Sequence, residues 1–142
     1  MTSTDPFDLE RFVRAQDSAG TFERAVGELE AGHKTGHWIW FVFPQLAGLG
    51  RSATSAHYAI SSLDEARAYL AHPVLGPRLI RCARILATAK VDAPEILGGL
   101  DATKLRSSMT LFLRATPEEA VFSEVLDRHF GGRADPATDA LL

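Results

Sequence analysis

Apolar residues recur every three or four positions through most of this chain, the spacing that gathers them on one side of an α-helix. Phe22, Ala25, Val26 and Leu29 form one such row after Thr21, with Gly32 as the residue that ends the helix. Leu75, Leu79, Cys82, Ala83 and Leu86 form a second row, and Leu105, Met109 and Phe112 a third, opened by Asp101. A fourth holds Val121 or Phe122, then Val125, Leu126 and Phe130; Thr116-Pro117-Glu118-Glu119 starts it and Gly131-Gly132 stops it. Two weaker rows have clear start signals. Asp5-Pro6 opens a helix carrying Phe7, Leu9, Phe12 and Val13 and ending at Ala19-Gly20, and Ser62 with Glu65 makes a capping-box pattern ahead of residues 63–71. Asp135-Pro136 can begin one more turn. The pattern predicts a mainly α, compact single-domain bundle of about six helices over residues 1–142.

One stretch breaks the helical spacing. His37-Trp38-Ile39-Trp40-Phe41-Val42-Phe43-Pro44-Gln45 holds both tryptophans of the protein. Its β-branched and aromatic run ended by proline predicts a short extended segment over 37–44, with Trp38, Trp40 and Val42 on one face and Ile39, Phe41 and Phe43 on the other. Both faces are apolar, so the segment must be covered on both sides or line a pocket with one of them.

Composition narrows the classes of function. A net charge of −3 argues against binding duplex nucleic acid, which requires a cationic face. No apolar run is long enough to cross a membrane, and the first residues lack the features of a secretory signal, which points to the cytoplasm. Cys82 is the sole cysteine, so no disulfide forms within the chain, and its apolar context reads as core. Arg78, Arg81, Arg84 and Lys90 give one helix a cationic side of the kind usually solvated. Metal and cofactor chemistry are not expected. His33 and His37 are four apart, but Gly32 and Gly36 make an aligning helix improbable. Lys104 precedes Ser107 and Ser108 at helical spacing, yet the serine-first order and the oxyanion glycine of Ser–Lys enzymes are missing.

An anion-binding reading has more physical support. Gly48-Leu49-Gly50-Arg51-Ser52 offers backbone donors, a guanidinium and a hydroxyl, without the sequence of a P-loop. Trp38, Trp40 or Tyr58 could stack a base, although both tryptophans read at least as well as core.

These stretches resemble the DUF1810 family of small bacterial proteins. The resemblance covers nearly the whole chain and rests on residues 37–45, on 48–52 running to Tyr58-Ala59-Ile60, on Glu65 to Pro73, and on Asp101 to Phe112. It implies a mainly helical domain and brings no activity. A more distant similarity is to the NADAR proteins, whose Ser-Glu-His-Tyr-like segment implies a site for ADP-ribose derivatives and N-glycosidase activity. Ser55-Ala56-His57-Tyr58 has a similar outline, with Ala56 where the acidic residue would stand.

Two functional readings follow. In the first, a nucleotide-like or other anionic small molecule sits between the aromatic stretch and the 101–112 helix, in a binding domain or an ADP-ribose-related hydrolase. Trp38 or Trp40 would stack, Gln45 and Tyr58 would hydrogen-bond, and Arg51, Ser52 or Lys104 would hold the anionic end, with Ser55 and Ser108 close by. In the second, the aromatic stretch is core or a subunit interface of a non-catalytic protein. The chain is a monomer or a homodimer in either.

Overall fold

The computed structural model describes residues 5–142. Its elements are α1 (Glu10–Asp17), α2 (Thr21–Ala31), α3 (Ile39–Val42), α4 (Ala53–His57), α5 (Leu63–Ala71), α6 (Leu75–Ala87), α7 (Ala93–Leu97), α8 (Gly99–Ala115), α9 (Ala120–Phe130) and α10 (Pro136–Leu141), with a 3-10 turn at Ser18–Gly20. The fold is mainly α, and the helices of eight or more residues, α1, α2, α5, α6, α8 and α9, are the six that the apolar rows predict. Among the described residues the only β pairing is an isolated bridge between Leu46 and Ile60. No helix there is long and apolar enough to cross a membrane.

α8 is the centre. It packs against α3, α5, α7, α9 and α10, and every residue from Ser107 to Phe112 is buried. A helix enclosed on all sides must satisfy its polar groups internally. Thr110 Oγ1 donates to the Arg106 carbonyl (2.8 Å), and Ser107 donates to Asp135 Oδ2 (2.9 Å). The same carboxylate accepts the backbone N–H and hydroxyl of Thr138, while the Asp135 N–H donates to Thr110 Oγ1 (2.8 Å). Asp135 therefore caps α10 and seats it on α8 at once.

Most residues of the predicted core rows are inside: Phe22, Ala25, Val26 and Leu29; Leu75, Leu79, Cys82, Ala83 and Leu86; Leu105, Met109 and Phe112; Val121, Phe122, Val125 and Leu126; and Leu9 and Phe12, whereas Phe7, Val13 and Phe130 are half-buried at the edge of the core. Burial pushes the Cys82 thiol up to about 12, so it stays protonated. α5 and α6 meet closely because Gly76 has no side chain; a Cβ there would strike the backbone carbonyl of Leu70. The cationic side of α6 is only partly solvated: Arg78 pairs with Asp17 (2.8 Å) and lies over Phe22, tying α6 to the first two helices.

Three helix starts differ from the sequence signals. The Asp5 carboxylate does accept backbone N–H groups, from Leu9 (2.7 Å) and Glu10 (3.0 Å), but Asp8 adopts φ 52° and α1 begins only at Glu10. Thr116 does not open α9. Its hydroxyl donates back to the Phe112 carbonyl (2.9 Å), and Glu119 caps α9 with its own side chain. α8 begins at Gly99, ahead of Asp101, whose carboxylate goes to two lysines instead of capping the helix.

The extended segment expected at 37–44 is also corrected. Residues 39–42 make one helical turn, flanked by Trp38 (φ −122°, ψ 1°) and Phe43 (φ −126°, ψ 74°). Pro44 bars the helical conformation only to Phe43, and upstream of it the helical period wins. Trp38, Ile39 and Val42 turn into the core with Phe43, while Trp40 and Phe41 stay half-buried. The turn is approached by a loop hung on one carboxylate, as Glu28 Oε1 accepts the N–H groups of Thr35 (2.7 Å) and Gly36 (2.9 Å) and the Trp38 indole N–H (3.0 Å).

Burial alone would raise the Glu28 pKa, but these donors outweigh it and hold the group at about 2, below its ordinary 4.5. A depressed carboxylate stabilises the fold above its unfolded pKa, and that contribution is lost as pH falls from 4.5 towards about 2. Glu28→Gln should cost about 1–3 kcal/mol at pH 7, since hydrogen bonds to a charged acceptor are replaced by neutral ones. Urea unfolding at pH 7 and pH 3 checks this, with the gap between variant and parent expected to narrow at the lower pH.

Candidate ligand-binding site

The chain from Gln45 to Ile60 closes into a loop. At its neck the Ile60 N–H donates to the Gln45 carbonyl (2.8 Å) and the Ala47 N–H to the Ile60 carbonyl (2.8 Å). α4 forms inside the loop because Ser52 caps it: Ser52 Oγ accepts the Ser55 N–H (3.0 Å) and lies 2.9 Å from Ser55 Oγ. The loop closes against α3 around a cavity of about 170 Å³, lined by Trp40, Gln45, Ser55 and Tyr58 with the small residues Gly50 and Ala56.

Four of the nine candidate residues thus converge on one cavity. Among the described residues the side-chain amide of Gln45 and the phenol of Tyr58 have no hydrogen-bond partner, although both line it. Phe41 (5.3 Å between ring centroids), Phe12 (5.9 Å) and His57 (4.6 Å) surround the Tyr58 ring. No lining residue carries a charge.

The other five lie elsewhere. Trp38 is core: it is 2% exposed, its indole N–H is taken by Glu28 and its ring packs on Phe43 (6.4 Å). Ser108 is fully buried in α8, and its hydroxyl has no partner. Trp38 precedes α3 and Ser108 sits on α8, two elements that pack on each other, and both side chains are spent in the core. Ser52 spends its oxygen on the helix cap, and Arg51 is exposed on the loop beside it. Lys104 stands 5.0 Å from the centroid of the Trp40 ring. Its ammonium pairs with Asp101 Oδ1 (3.2 Å), while Asp101 Oδ2 takes Lys34 (2.8 Å). Burial would raise the Asp101 pKa, but the two lysines hold it below the ordinary carboxylate range. Two ammonium groups on one carboxylate leave a surplus positive charge, with Lys104 against the Trp40 ring and Lys34 against that of Trp38 (5.2 Å).

Lys104 is therefore no activator of serine, and Ser107 is bonded to Asp135. Among the described residues no group of three or more His, Cys, Asp or Glu is arranged to hold a metal ion. Of the small lining residues, Gly50 belongs to the glycine-rich stretch 48–52 and Ala56 to the 55–58 segment that the sequence singles out.

A mainly helical bundle bearing one closed, aromatic-walled loop is the class that this geometry defines. The chain belongs to the DUF1810 family, described as proteins of unknown function, whose family model matches residues 6–142. It is similar to the conserved hypothetical protein Rv1873 from Mycobacterium tuberculosis, known from a crystal structure: the two are 52% identical, the match covers 97% of this chain and 98% of that one, and the TM-score is 0.93. No curated protein matches the chain. The NADAR resemblance has no support among these findings.

Gly50 sets the shape of this loop. A Cβ at Gly50 would strike Cβ and Oγ of Ser55, so Gly50→Ala must displace the start of α4. The expected cost is about 1–3 kcal/mol, the range for overpacking. Thermal unfolding measures it, and an unchanged midpoint would mean the loop yields freely.

Proposed function

We propose that this protein binds a small nucleotide-like molecule, with a planar ring in the cavity and an anionic part outside it. The observation that carries the reading is the pair of unpartnered groups, the Gln45 amide and the Tyr58 phenol, lining one cavity with Trp40. A carboxamide presents a donor and an acceptor side by side, matching the hydrogen-bonding edge of a base or an amide. Indole and phenol rings supply stacking surface. The cavity, about 170 Å³, falls below the ~300–1,000 Å³ of drug-sized ligand sites, which favours a single ring over an entire dinucleotide. Arg51 on the exposed loop and Lys104 beside Trp40 are cations that could hold a phosphate or carboxylate.

Binding is favoured over hydrolysis. The lining contains no carboxylate and no histidine to move a proton. The competing structural reading draws on Trp38, Ile39, Val42 and Phe43, which are core. It predicts no effect of any small molecule on stability.

Calorimetry and thermal shift against adenine, AMP, NAD and ADP-ribose separate the two. A ligand at a hundred times its Kd should stabilise the fold by about 2.7 kcal/mol, and no stabilisation by any of the four at millimolar concentration sinks the binding reading. Gln45→Leu and Tyr58→Phe should each weaken binding by about fivefold to tenfold, the worth of one hydrogen bond. Neither should lower the unfolding midpoint, because neither polar group bonds to protein. Arg51→Ala should weaken AMP but not adenine.

A further inference from the structure

The segment that carries Tyr58 is gripped from the far end of the chain. Arg11, on α1, has a side chain only 10% exposed, and every nitrogen of its guanidinium is engaged. Nε donates to the His57 carbonyl (2.9 Å) and Nη2 to the Ala59 carbonyl (2.9 Å), the peptide oxygens on either side of Tyr58. Nη2 also meets Glu65 Oε2 (2.8 Å), and Nη1 donates to the carbonyls of Phe7 (2.6 Å) and Asp8 (2.9 Å). Glu65, 3% exposed, is fixed in turn: its other oxygen accepts the Ser61 N–H (2.9 Å) and hydroxyl (2.8 Å) at the start of α5. The guanidinium carbon lies 4.3 Å from the centroid of Phe12, one of the rings that flank Tyr58.

We infer that Arg11, locked by Glu65, is the positioning residue of the cavity: it holds the carbonyls of His57 and Ala59, the residues before and after Tyr58, and so sets how far the phenol stands from the Trp40 wall. The inference rests on reading the cavity as a ligand site. Two carbonyls and a carboxylate approached from three directions need the rigid fork of a guanidinium, and a lysine ammonium at this position can satisfy the carboxylate without keeping both carbonyls in place. A loop without such a grip would have to be ordered by its ligand on binding.

Fluorine NMR of protein labelled with 3-fluorotyrosine tests the placement without any ligand. The chain has two tyrosines. Tyr69, buried and accepting a hydrogen bond from Gln16 Nε2 (3.2 Å), is the internal reference, and Tyr58→Phe assigns the other resonance. Arg11→Lys should shift and broaden the Tyr58 resonance and leave that of Tyr69 in place. In the same folded sample it should weaken AMP binding by about tenfold. Glu65→Gln should move the Tyr58 resonance in the same direction by less, and it serves alone if Arg11→Lys does not fold. A Tyr58 resonance that stays put in a folded variant overturns the inference, and so does an equal movement of both resonances, which would mark general loosening. If the parent protein binds no AMP while the Tyr58 resonance moves as expected, the ligand reading falls and the placement of Tyr58 by Arg11 stands.

Discussion

Enclosure of α8 is the constraint on which the rest of the molecule depends. An amphipathic helix needs one partner for its apolar stripe, but a helix buried around its whole circumference needs a partner on every side. Five elements supply them here. The cost falls on Ser107, Ser108 and Thr110, whose hydroxyls must be satisfied without water. Two of them are, through Asp135 and the Arg106 carbonyl, and that solution brings α10 onto the bundle. The short turn α3 is one of the five partners, so the aromatic stretch takes its position from α8 and turns Trp38 inward. Trp40, two residues on and roughly 200° around the helix axis, is left for the loop beyond Pro44.

That loop has little core of its own. Its neck is two backbone hydrogen bonds, its internal helix hangs on the Ser52 cap, and its far side is held by the Arg11 guanidinium. Buried ion pairs contribute little net stability, because desolvation offsets most of the attraction. The Arg11–Glu65 pair makes better sense as a device for geometry: a fork with five donors can bring parts of α1, α4 and α5 to fixed separations. A loop ordered in advance also spares a ligand the entropy of ordering it.

How much of this was legible in the sequence follows from the range of each signal. The apolar rows of α2, α6 and α9 were legible because one side of each helix meets the core and the other meets water. Helix starts were less so, since a threonine hydroxyl can cap the next helix or bond back to the last one, and Thr116 does the second. The aromatic run misled because a short stretch apolar on both faces has the same pattern in a strand and in a helical turn. Trp40, Gln45, Ser55 and Tyr58 were readable because they are close in the chain and bear the right chemistry. Trp38 could not be told from Trp40, as only the helical turn separates them. Arg11 could not be found at all: it acts on carbonyls 46 and 48 residues away, and no local pattern announces such a reach.

The distribution of charge then argues for how such a site would discriminate. An uncharged cavity cannot reject a neutral ring for want of a counter-ion, so selection inside it falls to shape and to the two free polar groups. In the proposed binding reading the surplus positive charge on Lys34, Asp101 and Lys104 would act through solvent and mainly raise the rate at which an anionic ligand arrives. Asp101 keeps that surplus at one charge. Without it the two ammonium groups would repel each other, and Lys34, whose side chain is only 8% exposed, would lose the partner that makes its burial tolerable. In the proposed reading Asp101, in the first turn of α8, would thus limit how strongly this face draws an anionic ligand, which ties the electrostatics of the candidate site to the central helix of the fold.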